Sequence, residues 1–401
     1  MRIGTLLAFF VAAQLLAGGS WPGFRGDGTS LTTDLDLPVV WADDSSVVWA
    51  VELEGYGQSS PVVHDGKVYV TSTVGPRKET LVISAYGHSD GRLAWRDRRP
   101  SSAQAEANDR LSNAAPTPVA GESGVFVFFE SGDLIALDHA GNELWNRFLP
   151  RSGEDWAGRH GLGSSPVMSG DRLFLHVAPF GEGRLYALAT QDGRDEWVRD
   201  LPAAPSFSTP VVVQHAGRSL ILTTAGGGVV AYDTGTGHEE FRRPARGGRG
   251  YAVPSASVSG DMVVIASGEP NGTHAFRLSA PDATVWTAEK ATTEYSSPLI
   301  AGGRVWLVNS VGVLYELDLL TGQEASTRRI PSGCWATGIA SEEHLYFFGV
   351  DGSAAALSRS SGETIAENRI EVEGRVYGVA AADGSFFIRT GKRLLRIEGN
   401  P

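Results

Sequence analysis

The chain has 401 residues, with 50 glycines, 20 prolines, one cysteine and a formal net charge of −12. That acidic balance argues against nucleic acid, whose phosphates call for clustered Lys and Arg, and it suits a soluble protein. A single cysteine leaves no internal disulfide, and so much Gly and Pro describes a chain that turns every few residues.

Met1-Arg2 is a short basic start, residues 3–16 form an apolar run, and Ala17-Gly18-Gly19 is a small-residue cleavage context. Residues 1–19 read as a secretory signal cut near the Gly19–Ser20 bond, because the run is short and turn-rich sequence follows it. An uncleaved anchor is the alternative. The run ends in Leu-Ala-Gly-Gly, where a lipoprotein signal would place a cysteine. The expected product is exported to the periplasm or beyond, monomeric, and without lipid anchor or stable membrane insertion.

Residues 20–46 are rich in Gly, Asp, Thr and Ser without a usable period. They read as a strap over the surface, pinned by Trp21, Phe24 and Trp41. Residues 47–53 (VVWAVEL) then form a strand with no partner beside it in sequence.

The most regular stretch is 206–241, with four β signals at 209–213, 219–224, 229–233 and 239–241. β-Branched residues suit a pleated surface, and the glycines between the signals supply the tight turns of an antiparallel sheet. The same opening recurs as Ser59-Ser60-Pro61, Pro116-Thr117-Pro118, Ser164-Ser165-Pro166, Ser208-Thr209-Pro210 and Ser296-Ser297-Pro298, with weaker copies near Ala256, Gly338 and Val379. The steps run from roughly 40 to 57 residues, the length of a four-stranded propeller blade.

Each unit also closes alike. Gly91, Gly141, Gly193, Gly237 and Asp282 are followed four residues later by Trp95, Trp145, Trp197, Phe241 and Trp286. Units six and seven keep Gly322 and Gly362 but lose the ring. Small residues six positions earlier (Ala85, Ala187, Ala231, Ala356) read as seats for the neighbouring blade's ring. Unit eight has three strands before the chain ends, and 47–53, with Trp49 in the aromatic position, supplies the fourth. The expectation is an all-β fold: one eight-bladed β-propeller over 47–401, built of four-stranded antiparallel blades, the last closed by the N-terminal strand.

Ala231-Tyr232-Asp233 with Thr236-Gly237 and Phe241, Leu317-Asp318 with Thr321-Gly322, and Ala136-Leu137-Asp138 with Gly141 and Trp145 resemble the repeat of PQQ-type β-propeller proteins. The opening Trp21-Pro22-Gly23-Phe24-Arg25-Gly26 resembles the start of exported bacterial members. The resemblance covers nearly the whole mature chain and implies architecture more than activity. It reaches quinoprotein dehydrogenases, which hold PQQ beside adjacent cysteines and Ca²⁺ on Glu, Asn and Asp, and an outer-membrane assembly lipoprotein. Cys334 is alone, no persuasive Ca²⁺ set stands on the loops (Asn108-Asp109 has no Glu assigned to it), and the lipobox cysteine is missing. No catalytic residue, metal or cofactor is expected; PQQ with Ca²⁺ belongs only to the alternative, an oxidoreductase acting on an alcohol or sugar.

The loops that approach each blade's first strand crowd one mouth of the channel. Most carry an aromatic residue: Tyr56, Phe207, Tyr251, Tyr295, Trp335 and Tyr377. They read either as a funnel for a partner protein or small ligand, or as wedges between blades. The long loops at 104–113 and 151–163 add Arg110, Trp156, Arg159 and His160, a carboxylate beside His160 reading either as an acid–base pair or as solvated surface. His64, His88 and His215 lack second ligands, so no metal site is read. Arg242, Arg243, Arg246 and Arg249 read as wet surface or as a contact for an acidic partner. The favoured function is binding at the aromatic mouth without catalysis, centred on units two, three, six and seven.

Overall fold

In a computed structural model of the protein, the residues described are 19–41, 43–104, 113–149, 162–177, 183–201, 206–225, 228–244, 253–267 and 272–399. Eight four-stranded antiparallel sheets make up the fold. Blade one comprises Val62–His64, Lys67–Val74, Thr80–Gly87 and Leu93–Pro100. Six more blades of the same order follow, and the first strands of blades eight and one meet, so the ring is closed. Blade eight is Val376–Ala382, Ser385–Thr390 and Arg393–Ile397, completed by Val47–Glu52. Ala50 faces Leu395 and Glu52 faces Arg393 in that last pair.

A belt of hydroxyls joins the blades at the start of their first strands. Ser60 N donates to Thr117 Oγ1 at 3.0 Å, Thr117 N to Ser165 Oγ at 2.9 Å, and Ser165 N to Thr209 Oγ1 at 3.1 Å. Thr209 N continues to Ser255 Oγ, Ser255 N to Ser297 Oγ and Ser297 N to Thr337 Oγ1. The recurring Ser/Thr-Pro opening therefore has a physical cause: each hydroxyl satisfies a buried amide of the preceding blade. Blade eight places Gly378 in this position, where a Cβ would stand 2.3 Å from Ser60 Oγ and 2.5 Å from Ser60 Cα. The seam is bridged instead by Arg389, whose Nη2 donates to Thr71 O at 2.8 Å and Ser72 Oγ at 3.2 Å.

The periodic rings work differently from the sequence expectation. Ala85 and Trp95, Ala136 and Trp145, and Ala187 and Trp197 are cross-strand partners within one blade. Each alanine thus seats its own blade's ring, because the two side chains leave the sheet on the same face. The ring then crosses the seam and lies on the next blade's hairpin glycine: Trp95 on Gly141, Trp145 on Gly193, Trp197 on Gly237. The indole Nε1 donates onward to a hairpin carbonyl, as from Trp145 to Thr190 at 2.8 Å. Gly141, with φ +89, is needed twice over, for the left-handed turn and for the ring's approach.

Where the ring is missing, something else fills the seam. Trp306, on blade six's second strand, reaches Gly362 of blade seven. Between blades seven and eight the filler is the strap. Trp41 packs with Phe348 and Phe386, its backbone N–H donates to Asn368 Oδ1 at 2.9 Å, and Tyr346 Oη donates to Leu37 O at 3.3 Å. The buried clusters accordingly lie between adjacent blades, and the cluster around blades seven, eight and one contains Trp21, Leu37, Trp41 and Trp49.

The strap, expected over the surface, keeps Leu31, Leu35 and Val40 exposed while it reaches the inner strands of several blades. Trp21 N and O pair with Val63 of blade one, and Ala120 N of blade two donates to Pro22 O at 2.8 Å. Arg25 donates to Ala256 O, Ser257 Oγ and Pro298 O at the inner strands of blades five and six. Ser30 and Thr32 pair with Ala340 of blade seven, and Gly384 N donates to Asp34 in blade eight. Contacts with inner strands on both sides of the ring mean that the strap crosses the central channel. Trp21 and Trp41 are buried and Phe24 only partly so. Arg25 is sealed from water, which lowers its pKa to about 10, and two backbone carbonyls and two serine hydroxyls accept from it.

Candidate functional site

Four of the approach-loop aromatics form one continuous arc at the mouth. Tyr295 (before blade six) and Trp335 (before blade seven) have ring centroids 4.8 Å apart. Trp335 and Tyr377 are 5.3 Å apart, and Tyr377 meets Tyr56 edge-on at 6.1 Å. The two tyrosine hydroxyls are hydrogen-bonded at 2.5 Å. The arc therefore runs across blades six, seven, eight and one, and Tyr295 is 43% exposed, so apolar area faces solvent.

Local structure fixes each member. Tyr56 exchanges both backbone hydrogen bonds with Thr73, at 3.0 and 2.9 Å. Gly57, beside it, lies so close to Thr71 O and Arg389 that a side chain there would collide with both. Trp335 follows Gly333, which packs on the backbone of Ser310 and accepts the Val350 N–H at 2.9 Å. Tyr377 sits at an irregularity in blade eight's first strand, between Val376 and Gly378. Such a bulge re-aims a side chain, here toward Trp335. Thr293 Oγ1 donates to Ser296 O at 2.9 Å, bracing the turn that holds Tyr295.

Two arginines were missed in the sequence. Arg375 holds its guanidinium 5.0 Å from the Trp335 ring, a cation–π contact at the rim. Arg375 and Tyr377 flank Val376, the first residue of blade eight's first strand. Arg389 is fully buried behind the mouth, and burial lowers its pKa to about 9. No carboxylate pairs with it among the described residues.

Phe207 leads into blade four and packs against Gly163. Arg110, Trp156, Arg159, His160 and Tyr251 lie outside the described residues, as do Arg246, Arg249 and the Asn108-Asp109 pair. Arg243 is not wet surface: it is buried, 4.8 Å from the Phe276 ring centroid, and bonds Pro281 O and Thr284 Oγ1 of blade five. Arg242 pairs with Glu239. The histidines do have company. His64 lies 5.2 Å from the ring of His139, whose Nδ1 is 2.9 Å from Tyr69 Oη, and burial and then His139 lower the His64 pKa. His88 is 3.0 Å from Asp383, and His215 is 3.8 Å from Asp261.

Among the described residues no three His, Cys, Asp or Glu side chains converge as a metal requires. Cys334, next to Trp335, is buried, and that burial pushes its thiol up to about 12. A lone, protonated thiol cannot form the disulfide that the quinoprotein resemblance calls for. The mouth offers a rigid aromatic surface with a cationic rim.

The family model described as outer membrane protein assembly factor BamB matches residues 11–158 and again 153–328. The chain belongs to the BamB family. BamB of Yersinia pestis is 26% identical over 245 residues, 51% of this chain. The match spans 59% of that relative's own length. BamB from Moraxella catarrhalis superposes with a TM-score of 0.63 at 15% identity, covering 88% of this chain and 99% of that one. A europium-containing methanol dehydrogenase superposes with a TM-score of 0.70 at 10% identity, over 94% of this chain and 91% of that one. A quinohemoprotein alcohol dehydrogenase from Pseudomonas putida HK5 gives 0.65 at 12% identity, over 95% and 80%. At such identities the solved structures speak to the fold alone. No helix among the described residues is long and apolar enough to cross a membrane.

Proposed function

We propose that this protein is an exported, monomeric propeller that binds a polypeptide of the cell envelope at its aromatic mouth, without catalysis. The observation that carries this reading is the arc Tyr295–Trp335–Tyr377–Tyr56 with Arg375 at its rim. Aromatic rings present large contact area at low entropy cost, and Tyr, Trp and Arg are the residues that dominate binding hot spots. Relatives named as outer-membrane assembly factors support a scaffold role. Export rests on reading residues 1–19 as a secretory signal, a reading that puts the mature chain in the periplasm or outside the cell.

Crosslinking from the source envelope tests the site. Trp335→Ala and Tyr295→Ala should each weaken capture by at least about 2 kcal/mol, roughly 30-fold. Arg92→Ala, on a side chain 88% exposed on blade one's last hairpin, should leave it intact. Equal capture by all three folded variants would mean that the mouth is not the interface. The rival reading, a PQQ-dependent oxidoreductase, is tested by adding PQQ and Ca²⁺ and following quinone absorbance and dye reduction with an alcohol panel. Turnover abolished by Trp335→Ala would replace the scaffold reading.

A further inference from the structure

Gly19 lies against a carboxylate. A Cβ built on it would stand 2.5 Å from Asp383 Oδ1 and 3.0 Å from Oδ2. Asp383 occupies the turn between the first two strands of blade eight, at φ +49, with its side chain half-exposed. Its Oδ2 is 3.0 Å from His88 Nε2, on the last hairpin of blade one. The next residue of the strap, Ser20, is held to blade one, its hydroxyl donating to Val63 O at 3.3 Å and lying 3.5 Å from His64 Nδ1. Trp21 then pairs with Val63 in both directions, at 2.8 and 3.0 Å. The strap thus enters the blade-eight/blade-one seam directly beside a carboxylate that a neutral glycine backbone does not compensate.

We propose that Asp383 is the receptor for the ammonium group of the mature N-terminus, formed when the Gly19–Ser20 bond is cut, and that this ion pair locks the seam after export. The proposal rests on the secretory reading of residues 1–19, with Ala17 and Gly19 as the small residues ahead of the cut. A signal peptidase adds water across the Gly19–Ser20 amide. The C–N bond breaks, Gly19 leaves as a carboxylate, and Ser20 keeps the nitrogen as an amine, protonated at neutral pH because α-amino groups titrate at about 7.7–8.0. The cut leaves that nitrogen as the chain's first atom, one residue from the position whose Cβ would touch the Asp383 carboxylate. In the precursor the same nitrogen is an uncharged amide, so the pair exists only in the processed chain. The other titratable groups at this junction are His88, Arg396 and Glu398 on the seam, Asp34 and Asp36 of the strap beside Gly384, His64, Asp65 and Lys67 on blade one, and Glu122 and His139 on blade two. Arg396 is engaged by Glu398 and by the His88 and Ser89 carbonyls, which leaves the Asp383 carboxylate to His88 and the strap.

The test uses the protein secreted from cells. N-terminal sequencing and intact mass should show a chain starting at Ser20. The α-amine, labelled by ¹³C reductive methylation and titrated by NMR, should have a pKa above the ordinary range of about 7.7–8.0. In Asp383→Asn, a residue that tolerates the left-handed turn, that pKa should return to the ordinary range. A form that keeps Ala17-Gly18-Gly19 ahead of Ser20 separates the lock from a structural role. Asp383→Asn should lower the folding equilibrium constant of the processed form by roughly two- to fivefold, as for a half-exposed pair, and leave the extended form unchanged. Any other mature start, an unmoved α-amine pKa, or equal losses in the two forms would overturn the proposal. Each of these outcomes leaves the mouth reading standing, since neither residue lies near the arc.

Discussion

Trp49 lies across the seam from Gly91. Its indole Nε1 donates to the His88 carbonyl at 3.0 Å, and a Cβ on Gly91 would stand 2.7 Å from the ring. One residue of the closing strand thus does for blades eight and one what Trp95, Trp145 and Trp197 do for the seams that follow. Trp49→Ala should cost about 3–5 kcal/mol, the range for emptying a buried aromatic site. Urea unfolding measures it; a loss below about 1 kcal/mol would mean that the strand's backbone pairing closes the ring unaided.

Gly378 stands in the hydroxyl belt where Ser60 leaves no room for a side chain. Gly378→Ala should open or strain the blade-eight/blade-one seam, with early exchange of amides in Val376–Ala382 as the readout. Thr209→Val is the comparison, since it keeps the shape and removes only the oxygen that Ser165 N donates to at 3.1 Å. That buried amide left unmatched should cost about 1–3 kcal/mol. A neutral Thr209→Val would show that the belt is geometric rather than energetic.

Lys78 Nζ and Glu130 Oε1 are 2.9 Å apart, with side chains 5% and 4% exposed. The pair joins the hairpin of blade one to that of blade two, and Glu130 also accepts the Ala114 N–H. Glu130→Gln removes the charge that compensates the lysine, and a loss of about 3–5 kcal/mol is expected. Denaturant midpoints at low and high salt should shift together, because a buried pair is poorly screened.

His176 is sealed between blades three and four, its Nδ1 2.9 Å from Thr223 Oγ1. Burial lowers its pKa from 6.5 to about 4. The folded value lies below the unfolded one, so its contribution is complete above pH 6.5. It is lost as pH falls toward about 4, because the unfolded chain takes up a proton that the folded one refuses. The loss across that window is about 3 kcal/mol. His176→Gln should flatten the stability–pH curve there, and parallel curves for the two proteins would remove His176 from the account.

The blades were legible because their causes are local. Ser165-Pro166 and Gly193 with Trp197 recur at near-fixed spacing since each serves a turn, a hydroxyl acceptor or a ring seat within one blade or the next. The orphan strand, read as residues 47–53 and found as Val47–Glu52, was assigned by the same arithmetic, one strand short at one end and one spare at the other. Parts of the mouth were legible too, because Tyr56, Tyr295, Trp335 and Tyr377 each lie near the start of a blade's first strand.

What the repeat could not specify was everything that breaks it. The strap has no period, so nothing in its residues said that Arg25 would reach blades five and six or that Trp41 would occupy a seam that lost its ring. Arg243 looked like one of a surface cluster, yet the next blade's Phe276 covers it. Phe207 leads into blade four's first strand and packs on Gly163, whereas the blade-eight bulge turns Tyr377 onto Trp335. Pattern spacing determined the architecture because a blade's hydrogen bonds join near neighbours in sequence. Tertiary structure alone decided the channel, the last seams and the arc, because those contacts join residues up to more than 300 positions apart, where only the closed ring brings them together.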